Sequence, residues 1–194
     1  MAYNISLEGK NTVIAERMLE DVGKILDDCK IKYWLEGGTL LGIRRENRLL
    51  PWDNDIDISM MVSEKSKLDN FHNQLKQKKY RVRFRLFQES IPPFKQGDIR
   101  MIKIRERRFF GLLKGTVCLD VFIKYPKDDN SYWEIDNKVK CVPSKFYSSF
   151  KAINFKGHDY SIPEFTDEYL TYRYGDWETP IKDWDTSKDD KALV

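Results

Sequence analysis

Asp55 and Asp57 stand two residues apart in Leu50-Pro51-Trp52-Asp53-Asn54-Asp55-Ile56-Asp57-Ile58, with Gly37-Gly38-Thr39-Leu40-Leu41-Gly42 just upstream. On a strand, alternation puts both carboxylates on one face and Ile56 and Ile58 on the other. Carboxylates roughly 6–7 Å apart along one face repel each other unless a cation lies between them. Their hard oxygens suit Mg²⁺ or Mn²⁺. Gly37, Gly38 and Thr39 read as a turn whose N–H groups can close on an anion. A helix expected from Leu40 to Arg45 would offer its positive end to the same anion. Metal-binding carboxylates beside a phosphate cradle are what phosphoryl or nucleotidyl transfer needs.

A third acid lies in Val117-Cys118-Leu119-Asp120-Val121-Phe122-Ile123. Here Val117, Leu119, Val121 and Ile123 share one strand face, and Asp120 falls on the other. A carboxylate inside so apolar a strand is costly unless it is paired or ligates a cation. Two readings are open: a pair with an arginine of the basic strands, or a third metal ligand or base beside Asp55 and Asp57.

Charge is spread unevenly. Lys76 to Lys114 holds 13 lysines and arginines against three acids, a local +10 in a chain of net charge +3. Lys103 and Arg105 alternate with Ile102 and Ile104, so both can face the acidic strand and hold donor phosphates. Arg81, Arg83 and Arg85 alternate with Val82, Phe84 and Leu86, and Arg81 and Arg83 read as a solvated face with little part in the chemistry. No nucleic-acid-binding motif accompanies the basic stretch, so no nucleic acid is expected as a partner.

The elements that must position these groups follow from periodicity. Val13, Ile14, Met18, Leu19, Val22, Ile25 and Leu26 predict an inward-facing helix over 11–29, capped by Asn11 or Thr12. Tyr33-Trp34-Leu35 is a short buried strand, and the acidic strand is expected over 55–61. Ser63 would cap a second helix reaching Lys78, with Leu68, Phe71 and Leu75 inward. Strands are expected over 80–87 and 99–105, with a loop over 91–97 between them. A hairpin from Phe150 to Tyr160 should turn at Lys156-Gly157. A helix from Pro163 to Tyr174 should stop at Gly175. The tail after Asp183 reads as polar and mobile.

With 194 residues, 41% of them hydrophobic, the chain is expected to form one domain, 1–194, with a core over 12–181 and a polar tail over 183–194. No apolar run approaches a membrane span, and Met1 to Lys10 has no signal core. Cys29, Cys118 and Cys141 fit neither a disulfide framework nor a zinc pattern. A cytoplasmic location is expected, at most peripheral to the inner face of the membrane. His72 and His158 read as structural or exposed.

Gly38-Thr39-Leu40-Leu41-Gly42, Arg45 and Pro51-Trp52-Asp53-Asn54-Asp55-Ile56-Asp57-Ile58 resemble the signature of the LicD/fukutin family. Leu119-Asp120-Val121-Phe122 and Tyr169-Leu170 with Tyr174-Gly175-Asp176-Trp177 and Pro180 resemble its later motifs. The resemblance covers roughly residues 12–181. It implies an α+β, nucleotidyltransferase-type fold: a mixed β-sheet with helices packed on it and a metal site on adjacent strands. It implies a divalent-metal-dependent phosphotransferase. Such an enzyme would move a phospho-alcohol, phosphocholine or ribitol phosphate, from a CDP-linked donor to a hydroxyl of a cell-surface glycan or its precursor. By position, Asp55, Asp57 and Asp120 would be the metal carboxylates, Gly37, Gly38 and Thr39 the phosphate turn, and Arg45 a phosphate contact. Asp53 also falls on an acidic position of the motif and takes second rank. Asn54 stands where the family usually has Asp, while Glu46 and Arg48 replace a histidine-like residue and a glycine. The chain lacks the transmembrane anchor and zinc cysteines of the animal relatives. Two alternatives stay open: transfer of NMP from an NTP to a sugar or small-molecule acceptor, and a non-catalytic glycan- or nucleotide-binding module.

Overall fold

The computed structural model describes residues 5–108 and 113–194. In order it contains α1 (Lys10–Asp28), β1 (Tyr33–Leu35), α2 (Gly37–Glu46), β2 (Ile56–Met61), a 3-10 turn (Val62–Lys67), α3 (Leu68–Gln77), β3 (Tyr80–Leu86) and β4 (Ile99–Arg108). These are followed by β5 (Leu113–Lys114), β6 (Leu119–Lys127), β7 (Asn130–Ile135), β8 (Lys138–Pro143), β9 (Phe150–Phe155), β10 (His158–Pro163) and α4 (Thr166–Tyr174). The architecture is α+β with a mixed sheet, as expected.

The main sheet runs β1-β2-β6-β4-β3, with β5 on the end of β4 and the β7–β8 hairpin continuing from β6. Within it β2 and β6 are parallel, and the other neighbours are antiparallel. Parallel strands need a long crossover, and the α3–β3–β4 segment supplies it. Ile56, Ile58, Ile102, Ile104, Leu119 and Val121 are all buried on the side away from the acids. α1 covers that side with Ala15, Met18, Leu19, Val22, Ile25 and Leu26, and α3 with Leu68, Phe71 and Leu75. β9 and β10 form a separate hairpin beside β1.

Several local expectations are corrected. Val13 points to solvent rather than inward. α1 starts after Gly9 without a side-chain cap, because Asn11 and Thr12 reach back to the carbonyls of Ser6 and Leu7. Ser63 lies inside the 3-10 turn and does not cap α3. α4 begins at Thr166, not Pro163, and does end at Gly175. The tail after Asp183 is not loose: Asp190 and Ala192 are buried, and Leu193 bridges to Lys140. Among the described residues no helix is long and apolar enough to cross a membrane.

Candidate active site

β2 and β6 align Asp57 directly with Asp120, and β4 aligns Lys103 with Asp120 on the far side. β3 adds Arg83 opposite Lys103. One row across the sheet therefore reads Asp57, Asp120, Lys103, Arg83, and residues directly opposite in a ladder share a face. The row opens into a cleft of about 1410 Å³ that Asp53, Asp55 and Arg105 also line.

Asp120 is nearly buried, and its Oδ2 pairs with Lys103 Nζ at 2.6 Å, while Oδ1 accepts from Cys118 Sγ at 3.1 Å. Among the described residues Asp120 thus pairs with a lysine, where sequence alone offered an arginine. Asp53, Asp55 and Asp57 have raised pKa values. Burial is the main cause in each; for Asp55 and Asp57 the neighbouring carboxylates, Asp120 included, add to it. The Asp53 carboxyl is pushed up to about 6. The four acids are near enough to repel one another. In this conformation, however, no group of three or more His, Cys, Asp or Glu side chains among the described residues converges as a metal site. Their oxygens, desolvated, mutually repelling and open to one cleft, are nonetheless the donor set that suits a hard divalent ion.

The glycines are not a separate turn. They form the first turn of α2, and Glu36 is its N-cap, with its side chain accepting from Gly37 N–H. Gly37 has φ 57°, a conformation that glycine adopts at little cost. A Cβ on Gly37 would collide with the Asp57 carboxylate, and one on Gly38 with the Asp53 carboxylate. Both acids therefore sit against the helix start, and only hydrogen at these two positions leaves them room. Thr39 is the exception to the expected phosphate turn. It is buried outside the cleft, where its hydroxyl accepts from Asp57 N–H at 2.9 Å and clips α2 to β2.

The other expected contacts are already engaged. Arg45 lines the cleft but donates to Glu46 and to the Trp177 carbonyl at 2.9 Å. Arg105 donates to the carbonyls of Gly115 and Thr116. Arg81, Arg83 and Arg85 are exposed, yet they line the cleft, so they are not a face apart from it. The cleft also has an aromatic lining that sequence reasoning missed, including Trp52, Tyr174, Trp177 and Trp184.

A second missed feature lies under the site. Glu36 is buried among Lys124 at 3.2 Å, Arg173 at 2.7 Å and the hydroxyls of Tyr147 and Tyr169. Burial opposes its charge, but Lys124 and Arg173 outweigh that and hold its pKa at about 2. Arg173 and Lys140 also pair with Asp190. Lys124, stacked over Trp133, is driven down to about 7 by burial. Asp53 continues the alternate spacing of Asp55 and Asp57, a signal present in the sequence. Glu36 had only its position before Gly37, in a residue type uncommon at N-caps.

A family model, LicD/FKTN/FKRP nucleotidyltransferase domain, matches residues 30–164, which span both acidic strands and α2. The chain belongs to the LicD/FKTN/FKRP family. An uncharacterized protein of Rickettsia typhi is 32% identical over 66% of this chain and 33% of its own. Ribitol-5-phosphate transferase FKTN of Mus musculus is 28% identical over 88% of this chain and 34% of its own length. The human protein of the same name is 27% identical over the same shares. The chain thus spans about a third of the length of these relatives. The solution structure of the antibiotic-resistance factor ANT(2'')-Ia is a looser likeness, 16% identical with TM-score 0.49 over 91% of this chain and 79% of that one.

Proposed function

We propose that this chain is a phosphotransferase domain that moves a phospho-alcohol from a CDP-linked donor to a glycan hydroxyl, with CMP leaving. One observation carries the reading: four desolvated carboxylates share a cleft with the N-terminal glycines of α2 and a wall of cationic strands. Membership of a family with ribitol-5-phosphate transferases among its members supports it. Asp55, Asp57 and Asp120 would hold Mg²⁺ or Mn²⁺, which when bound neutralises phosphate charge and sharpens the electrophilicity of phosphorus. The Gly38 and Thr39 N–H groups in the first turn of α2 would meet the same anion, where the helix dipole favours negative charge, while the Gly37 N–H is held by Glu36. Lys103, beside Asp120, would supply a second positive charge to the donor phosphates. Asp53, with a pKa of about 6, suits the acceptance of the proton from the attacking hydroxyl near neutral pH. The glycan precursor would meet the domain in the cytoplasm.

The test is product analysis. Purified protein with Mg²⁺, a glycan acceptor and CDP-ribitol, CDP-glycerol or CDP-choline should release CMP. Pyrophosphate from CTP, with no CMP from any CDP-alcohol, would instead assign attack at the α-phosphorus. A thermal-shift screen against the same nucleotides identifies the donor, because a ligand bound only by the native state raises Tm.

A further inference from the structure

Behind the start of α2 lies a buried charge cluster that does not balance. Among the described residues it holds three cations, Lys124, Lys140 and Arg173, against two acids, Glu36 and Asp190, none of them more than 2% exposed. Arg173 and Lys140 share Asp190 at the far end. Glu36, at the helix start, is left to answer both Arg173 and Lys124. Lys124 Nζ lies 3.2 Å from Glu36 Oε2 and 3.2 Å from the centre of the Trp133 ring, and no directed hydrogen bond reaches it among the described residues. The rings of Phe122 and Tyr147 face it on its other sides, and Ser59 of β2 donates to the same Glu36 oxygen. A buried cation without a full counter-charge is costly. Burial, with Arg173 and Lys140 adding to it, drives Lys124 down to about 7 despite Glu36.

The surplus charge sits one layer behind the cleft. Glu36, Trp133 and Arg173 line that cleft, and Glu36 holds the Gly37 N–H at 3.2 Å. Asp57, which feels the charge of Glu36, has its own charge disfavoured by burial and does not supply the missing anion. An anion at the first turn of α2 would supply it. We propose that Lys124 is a positioning residue for a phosphate at the start of α2: its charge, acting through Glu36, steadies the first turn, and the bound anion in turn favours the charged lysine. Anion affinity then falls as pH rises through neutrality, because Lys124 gives up its proton unless an anion is present. This role rests on the reading of that turn as the donor's phosphate site, and two probes separate one from the other.

The probes are CDP-ribitol, added to the intact chain saturated with Mg²⁺, and sodium sulfate, exchanged for chloride at constant ionic strength. Neither titrates between about pH 6 and pH 9. Binding is followed by calorimetry in wild type, in Lys124→Met, and in Lys78→Met, which removes a charge at an exposed site outside the cleft. Wild type should bind both probes about fivefold more tightly than Lys124→Met, or better, near pH 6, and the two should converge near pH 9. Lys78→Met should follow wild type throughout. A ratio of wild type to Lys124→Met that does not change with pH would make Lys124 structural only and overturn the proposal. Equal loss in Lys78→Met would reduce the effect to net charge and overturn it as well. If the melting curve shows that Lys124→Met does not fold, wild type answers alone. Heats of binding of either probe near neutral pH, in buffers of different ionisation enthalpy, should reveal proton uptake, and none would sink the idea. Lys124-dependent binding of sulfate with no binding of CDP-ribitol would remove the donor reading and leave the role of Lys124 standing. A chain that binds neither probe would lose both.

Discussion

Asp57 is the acid with most to lose and most to give. Burial disfavours its charge most, and its neighbours Asp55, Asp53 and Asp120 add to that. Asp57→Asn should therefore raise the Tm of metal-free protein while cutting turnover at least about a hundredfold. Near-normal turnover would remove it from the mechanism. Raised carboxyl pKa values also set a sign for pH. The folded chain binds more protons than the unfolded one between the ordinary carboxylate range and the raised values, so stability falls as pH rises through that window. With a chelator present, Tm should drop from pH 4.5 to pH 6.5. Added Mg²⁺ should restore much of it at pH 7.5 but little at pH 4.5. The buried lysines do not confuse the measurement. Lys124 and Lys140, lowered to about 7 and about 8, add stability with rising pH only above those values. A flat chelated profile would mean that the acids do not repel in solution. Gly38 supplies the steric counterpart. Gly38→Ala should cost about 1–3 kcal/mol, because the new methyl meets the Asp53 carboxylate. Adding Asp53→Gly should recover most of it, a coupling that denaturant titration of the double-mutant cycle would reveal.

At the scale of elements, α2 and β2 act as one clamp, joined by Thr39 to Asp57 N–H and by Glu36 N–H to the Asp57 carbonyl. Glu36 anchors the clamp, so Glu36→Gln should destabilise by about 3–5 kcal/mol, leaving Lys124 buried without its counter-charge and Arg173 with Asp190 alone. Urea midpoints within experimental error of wild type would refute that role. Much of this layer was legible in the sequence. The strong periods of α1 and the Asp55–Asp57 alternation gave the right elements within a residue, and the buried strand around Asp120 was recognised though β6 runs on to Lys127, because burial on one face forces the pattern. What escaped has physical reasons. The β7–β8 hairpin carries Lys140 and Glu134 among its buried residues, so its apolar alternation is broken by charges with distant partners. Thr39 was read as part of a phosphate turn through its backbone N–H, and only the approach of β2 shows what its hydroxyl does. The partner of Asp120 depended on register across β4, which no local pattern specifies.

Across the whole molecule, two of those aromatic residues of the cleft, Trp177 and Trp184, belong to the segment after α4, and that segment is tied down at Asp190. The Asp190 carboxylate meets Arg173 from α4 and Lys140 from β8. Asp190→Ala should free residues 176–193 to exchange amide hydrogens much faster, with α1 protection unchanged, and should weaken acceptor binding more than donor binding. Unaltered exchange there would place the anchor elsewhere. The reach of Asp190 explains why the tail looked mobile in sequence: a polar stretch is solvated unless its partners lie in elements far along the chain. The parallel pairing of β2 with β6 has a different consequence, for the order of folding. Asp57 and Asp120 are more than 60 residues apart in the chain yet face each other across one ladder. Closing so long a loop is entropically slow, so local hairpins such as β3–β4 and β9–β10 can form earlier. The two acids are then brought together only as the last ladder zips, and the repulsion between them opposes that step alone. A divalent cation would therefore speed the final phase of refolding and leave the early phases untouched.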